Sequence, residues 1–438
     1  MRQGSVVIEP LENRQLLAAV TITEAMTPAG SQLQIQGSGS NDRIVVNKTT
    51  SGYVVTAQDG FRATYNGRYK SILIRAGRGA DKVVVGEAVK VPAEMHGGAG
   101  ADTLMGGSAG DSLYGDSGND IVLGAVGDDT IICAGDGGRD QLIGGLGADT
   151  FWLDHNSYER VTDLSLAESR RGAQHRIASY YAPQVATLSA ANTADLGLMD
   201  PASSQQYASY RNFAYRPLFA AGGPSAADVV QGGVGDCWFL ASLAAVAKAD
   251  PQEIRQRITD LGDGTYVVQF KSAGKDVYVR VDADLPSYSS SSLAYAGFGA
   301  GGSLWAAIME KAYAMFRKGE ASYASLESGW MSEAFNDLGF TSSTSYETTE
   351  LLARIADWMR SGKAVTFATA EVPAGIPLME YHAYSVERVI EGSFGTSIVL
   401  RNTWGIDGVG SDGNDDGLVT LTAEQAKSAM SGLVVADT

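Results

Sequence analysis

The chain has 438 residues, enough for two to three domains, and its 33 basic and 50 acidic side chains give a formal net charge of −17. That balance argues against nucleic acid and anionic membrane surfaces as partners, since both recruit Lys/Arg patches. A hydrophobic share of 44 % supports packed cores, no apolar run is long enough to span a bilayer, and two cysteines, Cys133 and Cys237, cannot build a disulfide framework.

Residues 1–25 lack the long apolar stretch of a secretory signal, yet LENRQLLAA resembles a short N-terminal motif of large exported bacterial proteins, which makes this an export-like segment. From about Val20 to Ala93, runs such as QLQIQ, RIVVN, YVVTA, SILIRA and KVVVG predict short strands bounded by Gly, Asn and Asp. Residues 97–152 then hold 16 of the 53 glycines and nine of the acids, with Arg139 the single base. They repeat with a period of nine, in units starting at Gly97, Gly106, Gly115, Gly124, Gly135 and Gly144, with Cys133 and Ala134 as a two-residue insertion. Each unit puts an aspartate sixth (Asp102, Asp111, Asp120, Asp129, Asp140, Asp149) and an apolar residue eighth (Leu104, Leu113, Val122, Ile131, Leu142, Phe151).

Glycines permit the tight turns, the apolar residues form an inward column as units stack, and the stacked carboxylates repel unless a cation lies among them. Hard oxygen donors on flexible loops select Ca²⁺. This GGxGxDxUx pattern resembles the repeats-in-toxin family of parallel β-rolls, which implies that the six aspartates are metal ligands and that the segment needs Ca²⁺ to fold. The strand-rich stretch before it belongs to the same β-region, 26–160. Calcium sites of this kind favour an extracellular or cell-surface location. The Ser/Ala/Gln-rich residues 161–210 read as a linker or cap.

In QGGVGDCWFLASLAAVA the glycines form a turn, Asp236 is placed to cap, and an apolar helix starts near Cys237. A cysteine at a helix N-terminus is favoured as thiolate and lies beside free backbone N–H groups that can bind an oxyanion. Gln231 can bring a side-chain amide to the same spot. A nucleophilic cysteine needs a base and a group that orients it. His96 and His155 flank the repeats as local surface residues and His175 lies in the linker, which leaves His382, in MEYHAYSVERVIEG, as a candidate base, with Asn402 ending the strand in SIVLRNTWG. The order Cys, His, Asn fits a papain-like arrangement.

These motifs, together with LWAAIMEKAYA at Leu304 and RPLFAAGGPSAADVVQ upstream, resemble the calpain cysteine peptidase core over residues 211–438. The resemblance implies Cys237 as nucleophile, His382 as general base, Asn402 as the residue orienting it, Gln231 as oxyanion donor and Trp404 as a shield of the His–Asn contact. It also implies a protein or peptide substrate. Thr403 departs from the proline usual there. The family's own calcium sites would use Gly223 and Asp228, although Ala324 stands where an acidic partner is expected. A second set would use Asp412 and Asp416 in SDGNDDG, which is also a plain turn sequence. GFGAGG at Gly297 lacks the strand–helix context of a nucleotide loop.

The expected fold is therefore multidomain: an all-β parallel β-roll followed by an α+β papain-like, calpain-type peptidase core with a cleft between two lobes. The expected function is that of a calcium-dependent cysteine endopeptidase. A calcium-binding adhesion protein with an inactive peptidase fold is the alternative, and acyl transfer to amines would use the same three residues.

Overall fold

A computed structural model describes residues 20–27, 30–135, 137–155, 158–183, 198–220, 222–392, 395–407 and 415–438. The export-like motif and Asp412 lie outside them. The chain forms two compact units: residues 1–25, 31–151 and 157–164, and residues 26–30, 152–156 and 165–438.

The first unit is a two-sheet parallel solenoid. One sheet runs through Ser71–Arg78, Ala93–Ala99, Ser112–Tyr114 and Thr130–Cys133. The other runs through Arg43–Thr49, Lys82–Val85, Thr103–Met105, Ile121–Val126 and Gln141–Leu146. Two nonapeptides make one turn: Leu113 pairs with Ile131 on one sheet, and Val122 with Leu142 on the other. The second offset is longer by the inserted Cys133 and Ala134, which the turn after Thr130–Cys133 absorbs. The eighth-position residues Leu104, Leu113, Val122, Ile131, Leu142 and Phe151 are all fully buried. Each contributes about 1.5–3 kcal/mol by leaving water. Turns stack so closely that a side chain on Gly118, with φ 153°, would run into the carbonyl of Gly100. The upstream strands Arg43–Thr49 and Ser71–Arg78 continue the same sheets, as the β-rich reading expects.

The second unit holds the elements of the expected α+β core. Helix α1 (Cys237–Ala249) buries nearly its whole surface, as does α2 (Trp305–Phe316); between them lie the paired strands Thr265–Ser272 and Lys275–Asp282. An antiparallel sheet follows, built from β1 (Ala364–Thr369), β2 (Ala383–Gly392), β3 (Gly395–Asn402), β4 (Leu418–Thr422) and β5 (Met430–Ala436). Apolar residues of α1 share one core with Ala364, Ala368, Ala383 and Val434 of this sheet. A second core under the sheet joins Leu351 and Ile355 to Phe367, Tyr384, Ile398 and Leu400. Residues 161–210 are not wholly irregular: Leu166–Arg171 is a helix with a Ser165/Glu168 capping box, and Gln174–Ile177 is a strand.

Two histidines expected at the surface or in a linker are buried instead. His96 stacks on Tyr114 at 4.3 Å and bonds Glu94, and the carboxylates of Glu94 and Asp116 push it up to about 9 against the cost of burial. His175 stacks on Trp152 at 4.0 Å, and burial drives it down to about 3. Both aromatic faces are better buried than solvated, which the polar neighbours in sequence conceal.

Candidate active site and aspartate ladders

Sheet register places His382. Tyr384 pairs with Asn402, so His382, two residues earlier on the same face, meets the end of β3. His382 Nε2 lies 2.9 Å from Asn402 Oδ1. The amide's orientation is set twice more, because Oδ1 also accepts the Trp404 N–H (3.1 Å) and Nδ2 donates to Asp407 O (3.3 Å). An amide oxygen can only accept, so Nε2 carries the proton and Nδ1 keeps the lone pair. The ring sits between Tyr384 and Trp404, each with its centroid 4.9 Å away.

His382 and Trp404 line a cleft of about 380 Å³ together with Gln231, Cys237, Trp238 and Tyr381. Four of the five sequence-predicted catalytic residues thus share one cavity wall, and the fifth, Asn402, is bonded to one of them. Helix α1 starts at Cys237 as expected, but the capping expectation fails: Asp236 makes no side-chain cap. Its carboxyl turns inward and meets Glu310 of α2, both being fully buried. Burial raises both groups, Asp236 to about 7, so the pair retains a proton near neutrality. The adjacent cation, Lys311, is committed to Asp200 and Asp282. Sequence reading missed this pair because an acid before a helix and an acid inside one each look ordinary alone.

The expected thiolate is also revised. Burial pushes the Cys237 thiol up to about 11, the Asp236 charge adds to this, and the backbone N–H groups nearby only partly oppose it. Burial likewise lowers His382, against the support of Asn402. Desolvation outweighs the helix terminus, so burial favours the neutral form of each group.

The sixth-position aspartates form two ladders. Asp102 N–H donates to Asp120 Oδ1 (2.8 Å) and Asp120 N–H to Asp140 Oδ1 (2.7 Å). On the other side Asp111 N–H donates to Asp129 Oδ1 (2.8 Å) and Asp129 N–H to Asp149 Oδ1 (3.0 Å). The second oxygens of Asp102 and Asp129 are buried without a hydrogen-bond partner. They face the first glycine of their own unit: a methyl on Gly97 would stand 2.6 Å from Asp102 Oδ2 and 2.7 Å from Gly115 O. A carboxylate oxygen and backbone carbonyls converging on a side-chain-free position are a hard-oxygen donor set that suits Ca²⁺. Burial raises Asp102 and Asp111 to about 6 and Asp129 to about 8.

The other predicted metal residues differ. Asp228 Oδ2 accepts from Ser225 N–H (2.8 Å) and Trp305 Nε1–H (2.9 Å), while the Arg255 guanidinium packs against Gly223. Asp416 is exposed and accepts Leu418 N–H. Among the described residues, no three His, Cys, Asp or Glu side chains are grouped to hold a metal.

The calpain family cysteine protease model matches residues 192–416, just over half of the chain. The chain belongs to that family. The RTX calcium-binding nonapeptide repeat matches residues 96–131 and 134–154. The calpain-2 catalytic subunit of Gallus gallus is 32 % identical over 211 residues, covering 43 % of this chain and 29 % of that protein. Calpain-8 of Rattus norvegicus is 32 % identical over 209 residues, with the same shares. Calpain clp-4 of Caenorhabditis elegans is 31 % identical over 224 residues, covering 46 % of this chain and 31 % of its own length. The chain thus spans under a third of the length of these relatives. The calcium-binding repeats give Ca²⁺ as the metal of this protein. No described helix is long and apolar enough to cross a membrane.

Proposed function

We propose that this chain is a calcium-dependent cysteine endopeptidase acting on protein substrates at the cell surface or outside the cell. The observation that carries the reading is the 2.9 Å His382–Asn402 bond at the wall of the cleft that Cys237 also lines. In this reading Cys237 Sγ attacks a peptide carbonyl as its proton passes to His382 Nδ1, so the ion pair arises during attack. The oxyanion is held by backbone N–H at the start of α1 and by Gln231, each donor contributing about 3 kcal/mol. The imidazolium then protonates the leaving amine as the C–N bond breaks. Water, deprotonated by His382, releases the acyl group from sulfur. Asn402 keeps the ring's tautomer fixed, and Trp404 covers that bond.

Asp102, Asp111, Asp120, Asp129, Asp140 and Asp149 hold Ca²⁺ with the turn carbonyls, and the metal offsets the negative charge of the buried carboxylates. The test is a Ca²⁺ titration of wild type and Cys237→Ala, following peptide cleavage and far-UV circular dichroism together. Wild type gains structure and activity with the metal, and Cys237→Ala gains structure only. Cleavage by Cys237→Ala would sink the nucleophile assignment, and equal cleavage in chelator would remove the calcium dependence.

A further inference from the structure

We infer that Thr403 is a positioning residue whose hydroxyl anchors the Gln231 amide so that one of its N–H groups is presented to the cleft. The inference rests on the reading of Gln231 as an oxyanion donor. Gln231 lies outside any helix or strand, and its side chain has three rotatable bonds, so something must hold the amide if it is to act as a donor without reorganising. Two residues do. Gln231 Nε2 donates to Val234 O (2.7 Å), which decides which end of the amide is nitrogen. Thr403 Oγ1 donates to Gln231 Oε1 (2.7 Å), which stops rotation about the last torsion. An amide nitrogen has two protons. With one on Val234 O and the oxygen on Thr403, the second N–H remains for the cleft that Gln231 lines.

The backbone reinforces the link, since Gln231 N–H donates to Thr403 O (2.6 Å). Thr403 is itself buried, so water does not compete for its hydroxyl. Its Oγ1 also stands 3.4 Å from His382 Nε2. One side chain thereby fixes the spacing between the segment bearing the oxyanion donor and the strand end bearing the base. A proline at this position would keep the carbonyl and lose the hydroxyl. The anchor therefore depends on a hydroxyl-bearing residue at this position.

The experiment compares Thr403→Val, which keeps the shape and removes the hydroxyl, with Thr403→Ser, which restores it. With a peptide substrate and saturating Ca²⁺, Thr403→Val lowers kcat/KM about tenfold, through kcat, and Thr403→Ser stays within about twofold of wild type. Two further readouts separate positioning from general damage. Alkylation of Cys237 by iodoacetamide builds no oxyanion, so its rate in Thr403→Val stays near wild type. A peptide aldehyde does build one on Cys237, so its affinity falls by the same factor as kcat/KM. On a Gln231→Ala background, Thr403→Val adds less than about twofold. Wild-type kcat/KM in Thr403→Val, a parallel loss of alkylation, or an undiminished effect without Gln231 overturns the inference alone. A wild type that neither cleaves peptides nor binds the aldehyde overturns the peptidase reading and this inference with it.

Discussion

Replacing Asp129 by Asn should change the stability of the roll in opposite directions with and without calcium. Asp129 is buried, its Oδ1 accepts the Asp111 N–H at 2.8 Å, and its Oδ2 has no hydrogen-bond partner. Burial pushes it up to about 8 from an ordinary 3.8, and Asp111, Asp149 and Asp128 push the same way. For an acid raised on folding, the stability contribution is complete below the unfolded value and is lost as pH rises towards the folded one. At pH 7 the unfolded side chain is ionised while the metal-free folded one holds its proton, and that difference costs about 4 kcal/mol. Asn keeps the Oδ1 acceptor and the shape but cannot ionise. In EDTA at pH 7, Asp129→Asn should therefore retain more roll structure, by a few kcal/mol at most once local relaxation is allowed. In Ca²⁺ the variant lacks an anionic donor. Wild type gains about 2.7 kcal/mol per site when the metal is at a hundred times its dissociation constant, and the variant forfeits that gain. The assay is urea unfolding followed by far-UV circular dichroism, for both proteins, in EDTA and in Ca²⁺. A variant destabilised equally in both solutions would refute the reasoning, because Asp129 would then be an ordinary structural hydrogen-bonding residue.

Three further outcomes follow from the same geometry. Asn402→Ala removes the acceptor that fixes the His382 tautomer, and should lower kcat by about 10²-fold with little change in KM, read from steady-state peptide cleavage. Leu142→Ala opens a cavity in a fully buried position of the roll's apolar column, and should cost about 2–5 kcal/mol in Ca²⁺ by denaturant titration. Glu310→Gln replaces the carboxyl that faces Asp236 by a permanent amide donor. Because the raised pair makes the folded state bind one proton more than the unfolded state above the ordinary carboxyl range, wild type should lose about 1.4 kcal/mol per pH unit relative to the variant between about pH 5 and 7. A pH-independent stability difference would show that the pair holds no extra proton.

What was legible in the sequence is what repeats or what is forced by local chemistry. Six aspartates at one position of a nine-residue unit could only stack, and Leu104 to Phe151 could only form a column, so the roll was readable from period alone. Cys237 at the start of an apolar helix, and His382 and Asn402 at strand ends, were readable because each stands at an element boundary. What was not legible depends on pairing across long separations. Nothing near Asp236 announces that Glu310 will face it, so a cap was expected where a buried carboxyl pair stands. The thiolate expectation leaves out burial for a related reason: the helix terminus is local and visible in sequence, whereas the desolvation that opposes it comes from the residues around the cleft. Thr403 looked like a mild departure for the same cause, since its partner Gln231 lies 172 residues away. Local physics thus names the candidate reacting groups, and the long-range contacts bear on their protonation and their aim. The substitutions that separate these roles are accordingly those at Glu310 and Thr403 rather than at Cys237 itself.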